Sequence, residues 1–253
     1  MPDRGRLQDL LALIFAMAFP SAAAWLYFVL LARRDLLPAA YSACKIIQFA
    51  FPVAWTFLMR RPRARRAPVA GGGGARSVRA GHAPRRSPAA GPVSGLAMGA
   101  LLWGAYLGWL RGGELAAAAA PRIISKLEAI GADTPARFLA LTLFLSVLHA
   151  LLEEYYWRWF VFGQIRERVG FLPSAAVSSL AFMAHHVILA GAMLGPARFW
   201  SAALPLSLAV ALAGAVWAWL YERGGTLISP WLSHLIVDLA IMAIGYDIVW
   251  RLF

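Results

Sequence analysis

The chain has 253 residues, of which 61% are hydrophobic and only 14% are charged, and its mean hydropathy is +0.65. This balance excludes an ordinary soluble domain, in which about a quarter of the residues are charged, and it predicts an all-α, polytopic integral membrane protein. Its net charge is +12, and its single cysteine, Cys44, excludes an intrachain disulfide.

Seven apolar runs are long enough to cross ~30 Å of hydrocarbon as helices. In chain order they cover residues 8–31, 38–59, 92–110, 137–162, 173–194, 200–221 and 228–250. The first run begins like a signal peptide, after Arg4 and Arg6, but its apolar residues continue without a break to Leu31. We therefore expect an uncleaved anchor and about seven transmembrane helices.

Residues 60–91 separate two N-terminal helices (1–59) from a larger transmembrane region (92–253). The segment contains nine arginines, no acidic residue and four consecutive glycines, a composition that predicts a flexible polar loop. The positive-inside rule places this loop in the cytoplasm, where its arginines would contact anionic lipid headgroups. No aromatic residue interrupts the arginines, so we expect no nucleic-acid partner.

Basic residues also indicate the source of the chain. Only two of the 24 basic residues are lysines, which favours a GC-rich bacterial genome. We therefore expect a multi-pass protein of the bacterial inner membrane. The composition leaves the oligomeric state open.

Ionisable residues interrupt three of the apolar runs, where such groups are costly and usually functional. They form three motifs, which are Glu153-Glu154 with Arg158, Phe182 with His186, and His234 with Asp238. Counting 1.5 Å per helical residue from the cytoplasmic side places the three motifs at similar depths, ~9–20 Å into the membrane. The sequence therefore predicts one site that is built from three helices.

Helical spacing assigns different neighbours to the two glutamates. Glu154 and Arg158 are four residues apart and share a helix face, which predicts an ion pair. Glu153 points about 100° away from Glu154 and shares a face with His149, for which we expect a packing role. Glu153 is therefore the better candidate for a functional carboxylate.

The same four-residue spacing occurs in the other two motifs. The ring of Phe182 can pack beneath the imidazole of His186. His185 faces elsewhere on the helix and is kept as an alternative to His186 if the site holds a metal. Asp238 can fix the tautomer of His234, or both groups can approach one water or metal. Together with Glu153, these groups have the chemistry to activate a water and to stabilise the oxyanion of a peptide bond under attack.

Tryptophan and tyrosine are abundant in the apolar runs, where they usually form belts at the lipid interface. This interpretation covers Trp103, Trp109, Tyr155–Trp159, Trp217, Trp219 and Trp231. Tyr155 and Trp157 lie near the acidic pair and could line a substrate groove, but lipid packing is the favoured role for these two residues as well.

The three motifs, in this order and on separate apolar segments, resemble those of the CAAX protease and bacteriocin-processing family of intramembrane endopeptidases, which includes type II CAAX prenyl endopeptidases. The resemblance covers residues 137–243. It implies an all-helical membrane protease that cleaves membrane-associated proteins or peptides, with Glu153 as the water-activating base beside His186. The third motif often ends in Asn in this family, whereas this chain has Asp238.

The resemblance also assigns the remaining roles. His234 and Asp238 would hold the water or stabilise the oxyanion, and Glu154 with Arg158 would support the site. The residues leave two mechanisms open: a zinc centre, and a metal-free hydrolase that depends on glutamate. The zinc ligands would be Glu153, His186, His234 and Asp238.

Two other classes of protein are consistent with buried ionisable groups. A proton-coupled transporter would scatter such groups along a pathway, but here they cluster at one depth in three helices. A non-catalytic membrane scaffold of the same fold would not need the complete set of motifs. The protease is therefore the favoured interpretation.

Overall fold

The computed structural model of the chain describes residues 4–30, 37–59 and 89–252. The arginine-rich loop predicted at 60–91 lies outside the described residues, except for its last three positions. The described residues are almost entirely helical and contain no strand. The all-α prediction is therefore confirmed.

Among the described residues, seven helices are long and apolar enough to cross a membrane, which confirms the predicted number. An eighth, shorter helix lies between the third and fourth of them. In chain order the eight are α1 (Gly5–Leu30), α2 (Ala40–Met59), α3 (Ala90–Leu110), α4 (Glu114–Ala129), α5 (Pro135–Arg166), α6 (Phe171–Leu194), α7 (Pro196–Gly224) and α8 (Ile228–Leu252). The chain is thus an integral, multi-pass membrane protein.

Helix α5 lies at the centre of the bundle and carries the first motif. Its residues Tyr156, Trp157, Arg158 and Phe160 are buried, and the helix packs against α1, α2, α6, α7 and α8. Two wider, π-helical stretches flank the segment Ala150–Glu154. Such irregular turns are frequent at functional sites, and here they adjoin the two glutamates.

Helix α8 carries the third motif, and a stripe of glycines on α3 lets the two helices approach each other closely. Gly91, Gly95 and Gly99 are spaced by four residues, the spacing typical of close helix pairs in membranes. A Cβ atom on Gly95 would lie 2.8 Å from the carbonyl oxygen of Ser233, and one on Gly91 would collide with the backbone of Ser229. Backbone contact with α3 therefore fixes α8.

Helix α4 covers one end of the bundle. Its residues Ala116 and Ala120 pack with Tyr106 of α3, and Ala119 packs with Leu194 of α6. The apolar face of this short helix is thus buried against helix ends, while much of the opposite face is exposed.

Candidate active site

The carboxylate of Glu154 has two direct partners. Its Oε2 lies 3.0 Å from Nε of Arg158, and the side chains of both residues have no exposed surface. Its Oε1 accepts a hydrogen bond of 2.9 Å from Nδ1 of His234. The ion pair expected from helical spacing is thus present, and it is joined to α8 through His234.

Glu153 faces imidazoles from three helices. One carboxylate oxygen lies 3.9 Å from Nδ1 of His149 and 3.8 Å from Nε2 of His185, and the other lies 3.8 Å from Nε2 of His234. These distances exceed that of a direct hydrogen bond, and groups so spaced commonly share a water. The carboxylate can therefore take up a water among several imidazoles.

The partners of His234 define its tautomer. Because a carboxylate can only accept, Nδ1 of His234 donates its proton to Glu154. Nε2 then faces Glu153 at 3.8 Å and Asp238 at 3.6 Å. The sequence left two roles open for Asp238. Glu154 of another helix fixes the tautomer in its place, and the approach of Asp238 and His234 to one water or metal stays a prediction.

Trp217 supports His234, a role that the sequence did not indicate. The indole and imidazole rings stack with centroids 3.9 Å apart and an interplanar angle of 15°. Nε1 of Trp217 donates a hydrogen bond of 3.1 Å to Ser233, which Ser94 also contacts at 3.0 Å. Trp217 is 3% exposed, so the lipid-belt interpretation is wrong for this residue.

The second motif presents two adjacent imidazoles to the site. Nδ1 of His186 lies 3.0 Å from the carbonyl oxygen of Phe182, and because that oxygen can only accept, Nδ1 carries the proton and Nε2 is free to act as a base. The Phe182 ring packs against His186 with centroids 4.6 Å apart. The expectation that His185 faces away from the site is wrong, because its Nε2 lies 3.8 Å from a carboxylate oxygen of Glu153. The ring of His185 also lies parallel to the buried ring of Trp157.

The burial of Trp157 shows that it too is not part of a lipid belt, because its side chain is completely enclosed. The signal that could have marked both tryptophans is their depth: each lies well inside its helix, away from the ends where interfacial belts form. Depth alone does not reveal which imidazole each ring contacts.

The zinc hypothesis requires at least three ligands around one point. His186 and His234 both have Nδ1 hydrogen-bonded and Nε2 free, the state in which imidazoles bind metals. In residues 4–30, 37–59 and 89–252, however, no group of three or more His, Cys, Asp or Glu side chains is arranged to hold a metal ion. The donors thus have suitable chemistry, and a zinc centre stays a prediction.

Comparison with known proteins adds one match. Residues 135–240 match the family model described as Type II CAAX prenyl endopeptidase Rce1-like. The resemblance inferred from the three motifs is confirmed. The match covers less than half of the chain, and no curated protein or solved structure gives a significant match.

The Rce1-like segment contains the helices that form the site. It begins with α5, includes α6 and α7, and ends halfway along α8. The six site residues predicted from the sequence all lie within it. They are Glu153, Glu154, Arg158, His186, His234 and Asp238. Helices α1 to α4 lie outside the Rce1-like segment, although α3 positions α8.

Proposed function

We propose that the chain is an intramembrane endopeptidase that hydrolyses peptide bonds of membrane-associated proteins or peptides. The observation that carries this proposal is the placement of Glu153 within 4 Å of imidazoles from α6 and α8, inside a bundle of membrane-spanning helices. The match of this segment to a prenyl endopeptidase family supports the same reaction class.

In the proposed reaction, Glu153 accepts a proton from a water as that water attacks the carbonyl carbon of the substrate. The resulting tetrahedral intermediate carries a negative oxygen, which Nε2–H of a protonated His234 stabilises. The carbon–nitrogen bond then breaks, and the proton held by Glu153 passes to the leaving amine. His186, with its free Nε2, shares the water or the proton with Glu153, and Asp238 orients the same water.

The surrounding residues hold these groups in place. Arg158 balances the charge of Glu154, and the rings of Phe182 and Trp217 lie 5.2 Å and 5.6 Å from its guanidinium carbon. Arginine is stabilised over aromatic faces, which keeps this cation in the protein interior. Glu154 can then accept from Nδ1 of His234 throughout the reaction.

A zinc-dependent variant of this proposal would use Glu153, His186, His234 and Asp238 as ligands, and zinc would polarise the water or the carbonyl group. The proposed steps use only groups of the chain. A metal chelator and a measurement of bound zinc by mass spectrometry separate the two versions.

The membrane orientation is part of the proposal. The arginine-rich loop would face the cytoplasm of a bacterium, so the site would lie about halfway into the inner membrane. Lipids surround the bundle, and membrane-associated peptides are the proposed substrates.

The direct test compares purified wild type, Glu153→Gln and Glu128→Gln for cleavage of a panel of quenched fluorescent membrane peptides. Glu128 is an exposed glutamate of α4 and serves as the control. We expect Glu153→Gln to lose at least about 100-fold in kcat/KM, the usual loss when a general base is removed. Full cleavage by this variant contradicts the proposal, and a proton-transporting wild type that cuts no peptide supports the transporter instead.

A further inference from the structure

The chain contains two lysines, and both lie against aromatic rings. Nζ of Lys45, in α2, is 5.7 Å from the ring centroid of Tyr41 and 5.4 Å from that of Phe49. Nζ of Lys126, in α4, lies over the ring of Tyr27 at 4.3 Å. The two settings are similar, but only Lys45 is inside a membrane-spanning helix.

Lys45 has no acidic partner in the part of the chain that the structure describes, where no carboxylate oxygen lies within 4 Å of its Nζ. A cation inside a membrane is costly and is normally paired, as Arg158 is with Glu154. The two aromatic faces compensate for part of this cost. They leave the three N–H donors of the ammonium group available to an anion.

A chain of ring contacts connects Lys45 to the proposed catalytic group. The Phe49 ring that it contacts meets the ring of His149 edge-on, with centroids 6.0 Å apart. Nδ1 of His149 is in turn 3.9 Å from Glu153. Lys45 is therefore linked to Glu153 through two rings on the side of α2, while His234 lies against Glu153 from α8.

We propose that Lys45 is a specificity-determining residue that binds a carboxylate of the substrate peptide beside Glu153. This inference rests on the proposed protease function and identifies the chemistry of the substrate. The carboxylate is either the C terminus of the peptide or an Asp or Glu side chain near the scissile bond. A flexible lysine stem allows the ammonium group to follow such a carboxylate over a short range.

The test uses four peptides with one cleavable sequence in neutral detergent micelles. They carry either Glu or Gln next to the cleavage site, and either a free or an amidated C terminus. We expect wild type to cleave at least one acidic peptide about tenfold or more faster in kcat/KM than its neutral counterpart, the size expected of a hydrogen bond between charged groups. The pair that shows the difference identifies the source of the carboxylate.

Variants then assign the preference to a residue. Lys45→Met should bring the ratio of acidic to neutral kcat/KM close to one, whereas Lys45→Arg should retain a preference. Lys126→Met is the matched control and should keep the wild-type ratio. If Lys45→Met does not yield folded protein, Lys45→Gln replaces it.

Each outcome has a separate meaning. Wild type that cuts all four peptides equally well overturns the inference but leaves the protease intact. A charge preference that persists in the neutral Lys45 variant, or that is lost in the Lys126 variant instead, also overturns it. Wild type that cuts no peptide of any kind refutes the proposed function itself.

Discussion

The imidazole of His234 lies flat against the indole of Trp217, with ring centroids 3.9 Å apart. At the edge of the ring, Nδ1 of the same imidazole donates a hydrogen bond to Glu154. Stacking fixes the plane of the ring and the hydrogen bond fixes its rotation within that plane, so Nε2 is directed at Glu153 and Asp238. A proposed oxyanion donor that is held in this way needs no rearrangement during the reaction.

Removal of the stacked ring should impair the reaction more than substrate binding. We expect Trp217→Leu to lower kcat by about 10- to 100-fold, because small misplacements of a catalytic group have effects of this size. Trp217→Phe keeps an aromatic face but loses the donor to Ser233, so its activity should be intermediate. The control is Trp219→Leu on the same helix, since Trp219 is 38% exposed. Equal losses at both tryptophans would contradict the role given to Trp217.

Two ion pairs with the same four-residue spacing allow a test of how burial changes the contribution of an ion pair to stability. Glu154 and Arg158 have no exposed surface, whereas the side chains of Asp133 and Arg137 are 45% and 64% exposed. We expect Glu154→Gln to destabilise the protein by about 3–5 kcal/mol, because it leaves Arg158 buried without a counter-charge. Asp133→Asn should change the stability by less than about 1 kcal/mol.

Thermal unfolding in detergent, followed by circular dichroism, measures both variants of this pair. If Glu154→Gln and Asp133→Asn reduced the stability by the same amount, Arg158 would not depend on Glu154 for its charge balance. The Glu154 variant should also lose activity, because His234 loses the acceptor for its Nδ1 proton.

The glycine stripe on α3 should tolerate a methyl group only where space is available. Gly95→Ala would place its Cβ 2.8 Å from a backbone oxygen of α8, whereas nothing lies within 4 Å of a Cβ at Gly104. We expect Gly95→Ala to destabilise the protein by about 1–3 kcal/mol through overpacking. Gly104→Ala should be neutral or slightly stabilising, since alanine favours a helix. Similar melting temperatures for the two variants would contradict close packing of α3 against α8.

The adjacent imidazoles of α6 differ in how they are held. His186 donates from Nδ1 to Phe182 and thus presents a basic Nε2, whereas the 3.8 Å between His185 and Glu153 is too long for a hydrogen bond that would orient either group. We therefore expect His186→Gln to lower kcat/KM by about 100-fold or more, and His185→Gln to lower it less. A larger loss at His185 would assign the catalytic role to that residue.

The sequence predicts those parts of the structure that depend on one helix at a time. The apolar runs give the seven spans, and the four-residue spacing gives the pair of Glu154 and Arg158. Counting residues from helix ends also places the three motifs at one depth, because the rise of a helix is constant. These patterns require no knowledge of how the helices pack.

Contacts between helices could not be predicted in the same way. The acceptor for Nδ1 of His234 is Glu154, 80 residues earlier in the chain, although Asp238 is its neighbour on the same helix. Likewise, the sequence does not reveal that Trp217 faces inward or that Phe49 connects Lys45 to His149, because both depend on the rotation of each helix about its axis. That rotation is set by packing against other helices.

The backbone contact between α3 and α8 limits how this chain can change in length during evolution. An inserted residue between Gly91 and Gly99 would turn the rest of the stripe by about 100° and put a side chain where only a hydrogen atom fits. Deletions would have the same effect. Insertions and deletions among homologues should therefore be absent from this part of α3 and occur in the connections between helices. The positions of gaps in an alignment of orthologous sequences would test this expectation.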